Sequence, residues 1–131
     1  MNHLLTLTAV IEMGTGLVLV ALPSLLVTLL LGALLDTPAA LTIGRVAGAA
    51  MLALGVACWL ARHDGRSRAA TGLVAAMFLY NLAAVSILAS AGFGSGLGGV
   101  ALWPAVVLHG AMGVWCIACL RSQRVNAGKY R

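Results

Sequence analysis

LLTLTAVIEMGTGLVLVALPSLLVTLLLGALL, residues 4–35, is apolar throughout except for a single acid, Glu12, a few hydroxyl residues and a single proline, Pro23. As one helix this run would reach about 48 Å, against a bilayer hydrocarbon core of about 30 Å. The stretch is therefore either one strongly tilted, kinked helix or two pieces. Proline removes a backbone donor and clashes with the preceding turn, so Pro23 marks the break. The reading followed here is a span over residues 4–22 and then a short helix over 24–35 at the outer interface. Ser24 is the expected N-cap of the second piece.

Working outward, three further stretches satisfy the length of about 20 apolar residues that a membrane span needs: 40–61, 69–91 and 100–120. Each is apolar on nearly every face, the pattern of a lipid-embedded helix rather than a surface one. The whole chain agrees, with 62% hydrophobic and 8% charged residues among 131. A soluble domain carries about 25% charge, and a disordered chain is poor in apolar residues, so both classes are excluded. The expected fold is all-α: a single-domain integral membrane four-helix bundle with an extra interfacial helix after Pro23.

Charge sets the expected orientation. Of eight basic residues, Arg62, Arg66 and Arg68 lie between spans two and three, and Arg121, Arg124, Lys129 and Arg131 follow span four; Arg45 lies inside span two. The positive-inside rule then puts both termini and the central connection in the cytoplasm, in a bacterial-type inner membrane. The net charge of +5 needs no nucleic acid to explain it, and the same arginines attract anionic headgroups. Without a basic leader or a small-residue cleavage site, the first span reads as retained rather than as a cleavable signal peptide. The connection AGFGSGLGG, residues 91–99, reads as a flexible linker. Trp59, Trp103 and Trp115 fall near the ends of their spans, where tryptophan favours the headgroup layer.

Helices in lipid associate through close packing at small residues and through polar contacts. IGRVAGAAMLALGVA, residues 43–57, carries Gly44, Gly48 and Gly55 at such spacing, span four offers Gly110 and Gly113, and span one Gly14 and Gly16. Ionisable residues inside a span are costly and usually face the helix cluster's interior. Three occur, Glu12, Arg45 and His109, and Asn81 joins them as a neutral polar group. If span one ends near Pro23, then Glu12, Asn81 and His109 share one depth on three helices, with Arg45 about 9 Å nearer the outer face. These four residues are the candidate ligand or proton site; a Glu12–Arg45 or Glu12–His109 pair that merely fixes helix order is the structural alternative. AVVLH, residues 105–109, sets a small residue four before His109, spacing that clears room for a flat ring such as a tetrapyrrole. Cys58, Cys116 and Cys119 read as small packing residues, not as a metal or redox site. No phosphate loop, catalytic triad or carboxylate pair occurs, which argues against an enzyme.

IEMGTG (residues 11–16), the proline and leucine-rich stretch after it, and GRVAGAAMLALG (residues 44–55) together resemble the small bacterial four-helix membrane proteins of the DoxX-like type. That resemblance implies an accessory membrane subunit or a quinone-linked protein. The early intramembrane glutamate is also similar to that of the small multidrug resistance family, but the aromatic-rich second and third helices of that family are missing. Two main functions follow. One is an accessory or scaffold subunit packing against a larger membrane complex or itself. The other is a proton-coupled transporter, or a quinone- or ligand-binding protein, using Glu12, Asn81 and His109. A tetrapyrrole held by His109 is a third.

Overall fold

The structure, a computed structural model, describes residues 1–64 and 67–128, with the backbone alone from 124. Arg66, Lys129, Arg131 and the side chain of Arg124 lie outside the described residues. Those that are described form five helices and no strand: α1 (Asn2–Ala21), α2 (Pro23–Leu31), α3 (Pro38–Ala61), α4 (Arg68–Gly94) and α5 (Leu102–Gly128). α1, α3, α4 and α5 up to Gln123 are long and apolar enough to cross a membrane. The protein is thus a multi-pass membrane protein by the length and composition of its helices. α2, with 9 residues, is about 13 Å long and too short to span.

α1 stops at Ala21 because Leu22 leaves the helical region (φ −133°, ψ 59°) and Pro23 cannot donate to the turn before it. Leu22, not Ser24, is the N-cap of α2, and Pro23 occupies its first position, where a missing N–H costs nothing. Ser24 instead donates its hydroxyl to the Leu35 carbonyl at 3.1 Å and ties the end of the connection back to the break. α2 closes at Leu31 rather than Leu35, because Gly32 turns left-handed (φ 69°). Conventional caps start the next two helices: Thr37 accepts from the Ala40 N–H at 3.2 Å ahead of Pro38, and Ser67 accepts from the Ala70 N–H at 3.0 Å.

The stretch 91–99 is not a free linker. α4 continues to Gly94, and the segment after it docks on the end of α2. The Gly98 N–H donates to the Leu31 carbonyl at 3.1 Å and the Ala101 N–H to the Leu29 carbonyl at 2.9 Å. These are carbonyls that a helix end leaves without intrahelical partners. A Cβ on Gly99 would stand 2.1 Å from the Leu29 oxygen, so only glycine permits this strap to lie flat.

Two helix pairs carry most of the packing, α1 with α3 and α4 with α5. The first pair is a glycine crossing. A Cβ on Gly16 would meet the Gly48 carbonyl oxygen at 2.7 Å, one on Gly48 would meet the Gly16 oxygen at 2.8 Å, and one on Gly55 would meet the Met13 nitrogen at 2.9 Å. Gly44 faces Pro23 and Leu35 at ordinary contact distance or slightly closer. Gly14 and Gly110 meet nothing within 4 Å, and Gly113 only the Asn81 Cβ at 3.8 Å. The buried core joins all four long helices: Leu4, Leu5 and Ala9 from α1, Cys58 from α3, Val74 and Met77 from α4, Met112 and Cys116 from α5. At this end Met1 touches the Gln123 amide, and Thr71 donates to Gln123 at 2.7 Å, so the N-terminus, the start of α4 and the late turns of α5 come together.

Candidate functional site

A group of polar residues stands among these apolar helices. Glu12 occupies the middle of α1 and is only 3% exposed, and Asn81 stands at the middle of α4 and is 2% exposed. His109 lies two turns into α5, facing Asn81. The Asn81 amide nitrogen donates to the Met77 carbonyl at 2.7 Å, and its oxygen meets His109 Nδ1 at 2.8 Å. The Tyr80 ring sits edge-on to the imidazole, with centroids 5.6 Å apart. Tyr80 is also close enough to Glu12 to interact with it electrostatically, and Glu12 and His109 line one small void with Thr8 and Asn81. Glu12 and His109 therefore belong to one polar cluster that spans α1, α4 and α5.

The cluster borders two spaces. A void of about 10 Å³, near the size of one water, lies between Thr8, Glu12, Asn81 and His109, closed by Met77 and Met112. Thr8 Oγ1 and Glu12 Oε2, both buried, have no hydrogen-bond partner among the described residues. Beside it opens a chamber of about 280 Å³. All five helices contribute to its wall: Glu12 and Thr15 from α1, Val27 and Leu30 from α2, Met51 from α3, Leu88 from α4, Ala105 and His109 from α5. Ala101 of the strap completes it. The wall is aliphatic except for Glu12, Thr15 and His109, so polar chemistry is concentrated around one carboxyl and one imidazole. Ala105, one turn before His109, keeps the chamber open on that side.

The remaining candidates lie elsewhere. Arg45 is exposed and lines a separate depression with Leu22, Pro23 and Ser24 at the helix break. Since Gly16 faces Gly48 and Ala9 faces Gly55, Glu12 is level with Leu52, about 10 Å along α3 from Arg45. Gly110 and Gly113 border an open, mostly apolar groove on the outer face of α4 and α5 with Phe78, Leu82 and Val114, and Asn81 and His109 reach its wall as well. Cys58 and Cys116 share the apolar core, and among the described residues no three His, Cys, Asp or Glu side chains gather to hold a metal. His3 and His63 are exposed, far from His109.

Sequence reasoning missed Thr8, Thr15 and Tyr80. The first two were readable: Thr8, Glu12 and Thr15 are spaced four and three apart, a single polar stripe along α1. Tyr80 carries no such signal, because its edge-on contact with His109 depends on the packing of α4 against α5. No protein-family model, curated protein or solved structure matches the chain.

Proposed function

We propose that this is a four-helix-bundle protein of a bacterial-type inner membrane that binds a small lipophilic molecule in the chamber, holding its polar head at Glu12 and His109. The observation that carries the reading is the chamber itself: a mostly aliphatic space walled by all five helices, with Glu12 and His109 both on its wall. Ligand sites have this composition, mostly apolar with a few convergent polar groups. A buried carboxyl beside an imidazole can also exchange a proton, so binding or transport linked to protons belongs to the same reading.

The end carrying Arg62, Arg68 and Arg121 also holds the N-terminus, and we assign that end to the cytoplasm on the positive-inside rule. α2, short and apolar, then lies in the outer leaflet as an interfacial roof over the chamber. A second reading, an accessory subunit docking on a larger membrane complex or on itself, draws on the open groove at Gly110 and Gly113, where small residues would admit a neighbouring helix.

The test is purification of the full chain into nanodiscs with native lipids, followed by solvent extraction, mass spectrometry and an absorption spectrum. The ligand reading expects a lipophilic molecule that is lost in Ala105→Phe, which fills the chamber, while helical content is kept. Stoichiometric partner proteins and an empty chamber would favour the accessory subunit. A coloured preparation would assign the chamber to a tetrapyrrole on His109.

A further inference from the structure

We infer that the molecule held in the chamber is a hydroxyl compound, a lipophilic alcohol or phenol that donates its O–H to Nε2 of His109. The inference rests on the ligand-binding reading above and names the chemistry of the ligand. Its basis is the chain of hydrogen bonds behind the imidazole. Asn81 spends an amide proton on the Met77 carbonyl at 2.7 Å, which turns its oxygen toward His109. An amide oxygen only accepts, so the Nδ1 atom 2.8 Å away carries the proton of that bond. In a neutral imidazole the other nitrogen, Nε2, is then an acceptor and nothing else. The backbone of α4 thus fixes the tautomer of a residue on α5.

His109 is on the chamber wall, and among the described residues its ring makes no hydrogen bond besides the one at Nδ1, which leaves Nε2 for the ligand. Tyr80 approaches the ring edge-on, and Asn81 is committed to Nδ1. α2 and α3 add only apolar side chains to the chamber, Val27, Leu30 and Met51 among them. A ligand that presents only a carbonyl or ether oxygen faces Nε2 lone pair to lone pair and leaves it unpaired in an apolar space, which is unfavourable. A ligand with a hydroxyl satisfies it. The chamber's volume of about 280 Å³ is at the small end for ligand pockets, which run about 300–1,000 Å³, so one ring or a short chain fills it.

The experiment measures binding of 4-butylphenol and octan-1-ol, each against its own methyl ether, to the full chain in nanodiscs, with partition into empty nanodiscs subtracted. Each hydroxyl compound is expected to bind about ten-fold more tightly than its ether, the scale of one hydrogen bond in a dry site. The tighter of the two hydroxyl compounds then tells an aromatic from an aliphatic ligand, and either supports the inference. His109→Phe keeps an aromatic ring and is expected to bring both ratios close to one. Equal affinity of hydroxyl compound and ether in the wild type would overturn the inference and leave the ligand site standing; no binding of any of the four would overturn the site itself. A readout that needs no variant is the ¹⁵N spectrum of labelled His109. It should show a protonated Nδ1 and a bare Nε2, and the reverse tautomer or a doubly protonated ring would overturn the inference.

Discussion

At the scale of single residues, an apolar environment makes the few polar groups and the few missing side chains decisive. Glu12 leaves one buried carboxyl oxygen without a hydrogen-bond partner among the described residues, at the wall of a chamber. Glu12→Gln keeps the shape and removes the exchangeable acid. It is expected to preserve helical content and lower affinity for the chamber's ligand about ten-fold, read by binding in nanodiscs. The glycines divide by what a methyl group would meet. Gly48→Ala places a carbon 2.8 Å from the Gly16 oxygen and the Val20 nitrogen, and overpacking of this kind costs about 1–3 kcal/mol. Gly14→Ala and Gly110→Ala meet nothing within 4 Å, and a helical alanine is favoured over glycine by about 0.5–1 kcal/mol. Unfolding in mixed micelles should therefore show a clear loss for the first and none for the other two. Composition names all of these as glycines in helices. Only the crossing of α1 with α3 tells which of them the fold requires.

At the scale of elements, what was legible followed from hydrophobic run length and what was missed depended on distant contacts. The four spans and the interruption at Pro23 stand in the sequence because lipid demands long apolar helices and proline breaks them. Helix ends were less legible: α4 runs through Gly92 and Gly94, whose composition resembles a linker, and Gly32 stops α2 four residues short of the apolar run's end. Glu12, Asn81 and His109 were legible as a cluster because polar residues at matching depth on different helices have few places to go. Arg45 was not separable from them, since position along a helix fixes depth but not which face a residue takes. The strap of residues 98–101 left no local signal at all, because its partners are the carbonyls of Leu29 and Leu31. Gly99→Ala tests it. With a Cβ set 2.1 Å from the Leu29 oxygen, the strap must lift. Hydrogen exchange at the Gly98 and Ala101 amides should accelerate by ten-fold or more, while amides at the α1–α3 crossing keep their protection.

At the scale of the whole molecule, Arg62, Arg68 and Arg121 lie at the same end as the start of α1 and the late turns of α5, which makes orientation a single measurable property. A phosphatase that is active only outside the cytoplasm should be active when inserted at Gly96, and inactive when inserted at His63 or fused after Gly128. Activity at His63 would invert the assigned topology. The roof of the chamber also bears on how the molecule is made. Its two sides, the end of α2 and the strap before α5, are separated in the chain by the whole of α3 and α4. While the protein is being synthesised, the last carbonyls of α2 must therefore wait for residues 98–101 before they are satisfied. The wall is finished last, by the final hairpin to enter the bilayer. On the ligand-binding proposal, a lipophilic guest already dissolved among the tails can then meet the chamber before its last wall is in place.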